Sequence, residues 1–135
     1  MKYMMLIYGN EGALSRPERE ACYGESTQLA HSLKMKGYYL GASPLQGVST
    51  ATSVRVRDGK RFVTDGPFAE TREQLGGYYL IEAPDIETAV DIAGQIPGAK
   101  FGTVEIRPIV VLENLPEVPS EADAAAKPEL VGAHS

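Results

Sequence analysis

At 135 residues the chain has the length of one domain built around a single sizeable core. Hydrophobic residues make up 43% and charged residues 23%, an ordinary globular balance, and no apolar run approaches the ~20 residues of a membrane helix. The net charge of −5 is concentrated at the end, where Glu117, Glu121, Asp123 and Glu129 stand against Lys127; the near-neutral body argues against a general nucleic-acid binder.

Lys2–Tyr8 is apolar on both alternating faces, Tyr3, Met5 and Ile7 on one and Met4, Leu6 and Tyr8 on the other. A strand covered on both sides belongs in the middle of a sheet, and no small-residue cleavage site follows to suggest a signal peptide. Ser15-Arg16-Pro17-Glu18 reads as a capping box with proline in the first turn, and the helix it opens is predicted to run to about Lys36 and stop at Gly37. Cys22, Leu29, Leu33 and Ser26 recur at helical spacing and face the sheet. The single cysteine excludes an internal disulfide and fits a reducing cytoplasm.

Tyr38–Leu40 is predicted as a short strand ended by Gly41, with an irregular stretch through Ser53. Val54–Arg57 and Lys60–Val63 flank Asp58-Gly59, a two-residue hairpin signal. Asp65-Gly66-Pro67 must turn, Glu70, Arg72 and Glu73 crowd three charges into the loop that follows, and Gly76-Gly77 loosens the backbone ahead of a strand over Gly77–Glu82. Asp85 caps a second helix whose buried stripe is predicted as Ile86, Ala89, Val90, Ala93 and Ile96, closed by Pro97-Gly98. Thr103–Arg107 alternates as a half-exposed strand limited by Pro108. Ile109–Leu112 is an apolar extension. The division into a domain over residues 1–112 and a Pro/Ala/Glu-rich tail over 113–135, mobile or docked on a partner subunit, follows from composition.

This order predicts an α+β domain of ferredoxin-like βαββαβ type with an extra hairpin. Both helices lie on one side of its antiparallel sheet. The other side is apolar too, and a monomer rarely leaves several hundred Å² of contiguous apolar surface wet, which predicts a homodimer with two-fold symmetry.

Several blocks resemble the YCII-related proteins of the DGPF type: Met1–Gly9, Val54–Gly59, Asp65-Gly66-Pro67-Phe68-Ala69-Glu70-Thr71, Gln74–Tyr79 and Val104–Pro108. The resemblance implies a dimeric α+β barrel, two sheets face to face, in a bacterial cytoplasmic protein. That superfamily includes isomerases, monooxygenases and dehalogenases; the DGPF type is largely without an assigned reaction, and its members often accompany extracytoplasmic-function sigma factors. Smaller relatives carry a first-helix histidine suggested as acid/base together with an aspartate. The matching position here falls near Ser26, and His31 lies more than a turn away.

The candidate catalytic residue is Asp65, either a general base at a pocket mouth or, more simply, a turn aspartate accepting backbone N–H bonds. Glu70 and Arg72 are candidates for holding a charged substrate; the simpler reading is a loop salt bridge with Glu73 and a dimer-edge contact. Tyr78 and Tyr79, with Tyr8, Tyr38 and Tyr39, either wall an apolar ligand cavity or pack a dimer interface. His31 stands alone on a polar part of the helix and reads as solvent-facing, while Cys22 reads as core. No cluster has metal spacing, no phosphate-loop or cofactor fingerprint is present, and the basic hairpin Arg55, Arg57, Lys60 and Arg61 lacks the stacking aromatics of a nucleic-acid site. Two functions stand side by side: a homodimer that binds a small aromatic or carbonyl-bearing molecule, as a binding protein or as an enzyme, or a non-catalytic accessory protein of sigma-factor signalling.

Overall fold

A computed structural model describes residues 1–116. Strand β1 (Lys2–Gly9) is followed by helix α1 (Arg16–Met35), strand β2 (Tyr39–Pro44), the hairpin β3 (Thr52–Arg57) and β4 (Lys60–Asp65), strand β5 (Gln74–Glu82), helices α2 (Ile86–Ala93) and α3 (Gly98–Phe101), and strand β6 (Gly102–Pro108). Four strands form an antiparallel sheet in the order β2-β5-β1-β6, and β3-β4 forms a ribbon of its own. The architecture is mixed α+β.

The apolar first strand takes the central place its pattern demands. Its Tyr3 and Met5 are buried and lie opposite Ile81 and Tyr79 of β5. Leu33 of α1, Ala89, Ile92 and Ala93 of α2, and Ile96 close over them, so the core is one layer between helices and sheet. Burying each of the larger side chains contributes on the order of 1.5–3 kcal/mol.

Local signals set the ends of α1. The Ser15 hydroxyl accepts from the Glu18 N–H while the Glu18 carboxylate accepts from the Ser15 N–H, the reciprocal capping box. At the other end Tyr38 N–H reaches Leu33 C=O and Gly37 N–H reaches Lys34 C=O, with Gly37 at φ +82°, a Schellman closure. In the ribbon, Asp58 and Gly59 have φ of +53° and +74°, the tight turn that matches strand twist.

Four expectations need correction. Strand β2 does not end at Gly41: the register slips between Tyr39 and Gly41, and pairing resumes as far as Pro44 opposite Gly77. A bulge absorbs the glycine instead of terminating the strand. Strand β5 begins at Gln74 and not at Gly77, so both glycines lie inside it. The β1 register skips Gly76, and β2 backbone crowds Gly77, where a Cβ would stand 3.0 Å from the Ser43 carbonyl oxygen and 3.2 Å from Pro44 Cα. The buried stripe of α2 is Ala89, Ile92 and Ala93, continued by Ile96, with Ile86 and Val90 exposed. The two stripes share Ala89, Ala93 and Ile96, and Ile92 takes the buried place expected of Ile86 and Val90. The helix also stops at Ala93, and Gly98 opens the short α3.

The Ile109 N–H bonds to the Lys2 carbonyl, prolonging the edge by one residue; Val110 and Val111 beyond it are each 77% exposed. Most of the expected tail, residues 117–135, lies outside the described residues.

Candidate functional site

A cleft of about 900 Å³ opens between α1, the sheet and α3. Its origin is a run of small side chains on two facing surfaces. On α1, Cys22, Ser26 and Ala30 recur every fourth residue and line it; on the sheet Ala42, Gly76 and Gly77 line it. Across the sheet, Ile7 lies opposite Gly77, which lies opposite Pro44. Where other rows project Met5, Tyr79 or Ile81, this row has no side chain at β5, and the layer between helix and sheet stays unfilled.

Tyr79 spans the gap. Its ring is buried, and its hydroxyl donates to the Ser26 carbonyl at 2.5 Å. Burial pushes this phenol's pKa up and the neighbouring Tyr39 adds to that, while the hydrogen bond to Ser26 works in the opposite direction. Tyr79 is thus a protonated donor fixed to α1. Tyr23, Tyr39 and Phe101 supply further aromatic wall, and Arg19, His31 and Lys34 border the cleft from α1. Burial also pushes the Cys22 thiol up, with Glu25 and Glu18 adding to the effect and Lys100 opposing it, so the thiolate a nucleophile needs is disfavoured.

The sequence candidates divide. Tyr78 and Tyr79 line the cleft; Asp65, Glu70 and Arg72 do not. Asp65 ends β4 opposite Thr52, exposed, next to Gly66 at φ +103°. The turn is held by backbone: Gly66 N–H bonds to Ala51 C=O at 2.7 Å, and the Ser53 hydroxyl donates to Gly66 C=O at 2.8 Å. The expected loop salt bridge does not form. Among the described residues Arg72 pairs with no carboxylate, and the ion pairs are Met1–Glu82 and Arg16–Glu20. Glu73 instead accepts from the Thr103 hydroxyl at 3.0 Å. These side chains stand in water, where pairing gains little against the entropy of holding it.

His31 is exposed, as its polar surroundings predict, yet it stands at the cleft's border. Sequence reasoning missed Ala30, Arg19 and Lys34. The signal was present in the four-residue repeat of small side chains on the sheet-facing stripe of α1, where a packed helix would carry leucine. Among the described residues no group of three His, Cys, Asp or Glu side chains gathers as a metal site. No helix there is long and apolar enough to cross a membrane.

The model of the YCII-related domain matches residues 1–113. The chain belongs to the YCII-related family. An uncharacterised protein of Rhizobium meliloti (strain 1021) is 32% identical over 116 residues, covering 82% of this chain and 94% of the relative. Among solved structures, the chain is similar to 5-chloro-2-hydroxyhydroquinone dehydrochlorinase (TftG) from Burkholderia phenoliruptrix AC1100, determined in complex with 2,5-dihydroxybenzoquinone. The TM-score is 0.52 at 14% identity, covering 82% of this chain and 94% of the neighbour, a likeness of fold.

Proposed function

We propose that this YCII-related protein is a homodimer in which each subunit binds a small aromatic or carbonyl-bearing molecule between α1 and the sheet. The carrying observation is the cleft: about 900 Å³, walled by tyrosines and small side chains, with polar and charged groups such as Arg19, His31 and Lys34 at its border. Such concavities of roughly 300–1,000 Å³ with sparse polar groups are the usual form of small-molecule sites. Asp65, Glu70 and Arg72 stand outside it in a single chain; in this reading Tyr79 and Tyr78 serve the site.

The strand order β2-β5-β1-β6 supports a ferredoxin-like arrangement, and the sheet face away from the helices supports a dimeric α+β barrel. Met4, Leu6 and Leu80 are half-buried there with no helix over them, and Leu40 is 46% exposed. The ribbon β3-β4 exposes Val54, Val56, Phe62 and Val63, and an isolated two-stranded ribbon is at best marginal in water. A second copy covering both explains why these positions are apolar.

Calorimetric titration of the full chain with 2,5-dihydroxybenzoquinone, a planar ring with polar edges, tests the binding reading. Saturable binding at one molecule per chain is expected, lost when Ala30→Phe fills the cleft and retained in Asp65→Asn. Failure of the unaltered protein to bind this quinone or any of a panel of phenols and aromatic carbonyl compounds refutes it.

The exposed Val110, Val111, Leu112 and Leu115 favour a second reading, a non-catalytic accessory protein that docks a partner through this extension. It predicts that Val110→Asp with Val111→Asp abolishes association with a sigma-factor partner while ligand binding in the cleft persists.

A further inference from the structure

We infer that the cleft selects an anion: an aromatic molecule bearing a carboxylate or an ionised phenol, steered and held by basic groups of α1. This rests on the small-molecule reading above and specifies its ligand. A helix of 3.6 residues per turn brings Arg19, Tyr23, Ala30 and Lys34 to one edge, with His31 beside them, and all five line the cleft. Two permanent cations and an imidazole therefore border a concavity in a protein whose net charge is −5.

The opposing charge is almost absent. Glu11 is the sole carboxylate residue on the lining, and it is already engaged: its Oε1 accepts the Val48 N–H at 2.9 Å, and its Oε2 lies against Gly47. Among the described residues neither Arg19 nor Lys34 forms an ion pair, although α1 also carries Glu18, Glu20 and Glu25. Glu18 is turned back onto the Ser15 N–H and Glu20 onto Arg16. Glu25 has no such partner and its charge reaches Cys22, but it is not on the lining, so the charged side chains that α1 presents to the cleft are basic. A concavity rimmed by one sign of charge concentrates ligands of the opposite sign. The ring-sized apolar interior beside that rim calls for a molecule with an aromatic body and an anionic edge.

Arg19 and Lys34 are fifteen residues apart, about 22 Å along the axis, so one small ligand cannot touch both. Lys34 and His31 lie within a turn of each other and near Tyr39, and Arg19 shares its end with Glu11. The anionic edge therefore belongs at the Lys34–His31 end, and Arg19 contributes field more than contact.

The test compares 2,5-dihydroxybenzoate with 2,5-dihydroxybenzamide, nearly the same shape with and without charge, titrated into the full-length dimer. The benzoate is expected to bind about two- to fivefold tighter at low salt, the scale of an exposed charge contact. The preference should shrink toward none at ~1 M salt, where the screening length falls to about 3 Å. Lys34→Gln should remove most of it, lowering benzoate affinity by more than benzamide affinity; Arg19→Gln should lower it less. Equal binding of both probes, or a preference untouched by salt and by Lys34→Gln, overturns the inference and leaves the small-molecule reading standing. Binding of neither, with the quinone or a member of the phenol panel still bound, overturns the inference alone; binding of none of these compounds overturns both.

Discussion

The Tyr79 hydroxyl is the residue on which the cleft's shape depends, because it ties sheet to helix at the Ser26 carbonyl. Tyr79→Phe keeps the ring and removes the tie. We expect a loss of about 1 kcal/mol at neutral pH, read from urea unfolding, with the fold retained. Its pH dependence has a definite sign. Burial first, then Tyr39, raise the folded phenol's pKa, so as pH climbs the unfolded chain loses this proton first. The corresponding stability is complete below the ordinary tyrosine value of about 10 and is lost as pH rises through the folded value. The unaltered protein should lose melting temperature above about pH 10 more steeply than Tyr79→Phe; parallel alkaline limbs would refute the assignment. At Gly77 the constraint is steric: Gly77→Ala must displace β2 backbone, at a cost of about 1–3 kcal/mol.

Elements owe their ends to short-range chemistry and their faces to packing. Helices α1 and α2 each begin at a side chain that does a backbone's work. Ser15→Ala should cost about 1 kcal/mol in denaturant unfolding, since it orphans the Glu18 N–H. Asp85 accepts from the hydroxyl and the N–H of Thr88, which hold its carboxyl below its ordinary range. The sign is opposite to that of Tyr79: the unfolded state takes up the proton first as pH falls, so the cap's contribution is present above the ordinary aspartate range and fades as acid reaches the folded value. Asp85→Asn should flatten the acid limb of a melting-temperature profile. The caps, the Asp58-Gly59 turn and the alternation of β1 were legible because each is specified within a few residues. The face of α2 was not, since the stripes through Val90 and through Ile92 are equally periodic and only contact with the core chooses between them.

At the scale of the whole molecule, the proposed dimer rests on the apolar far side of the sheet and on the exposed ribbon. Leu80→Glu, aimed at that face and away from the cleft, should convert a dimer to a folded monomer in light scattering with its secondary structure intact by circular dichroism. A monomeric unaltered protein would remove the barrel from the proposal. The YCII-related family was readable in blocks of local sequence, and so was the α+β architecture, because periodicity, caps and turns each act over a few positions. The two glycines inside β5, the bulge that carries β2 past Gly41, and the cleft itself were settled only by folding. A cleft is what remains when side chains from α1, β2 and β5, distant in sequence, fail to fill the space between them. The repeat of small residues through Ser26 and Ala30 is visible in the sequence, but it defines no cleft until the sheet register sets Ala42 and Gly77 opposite it.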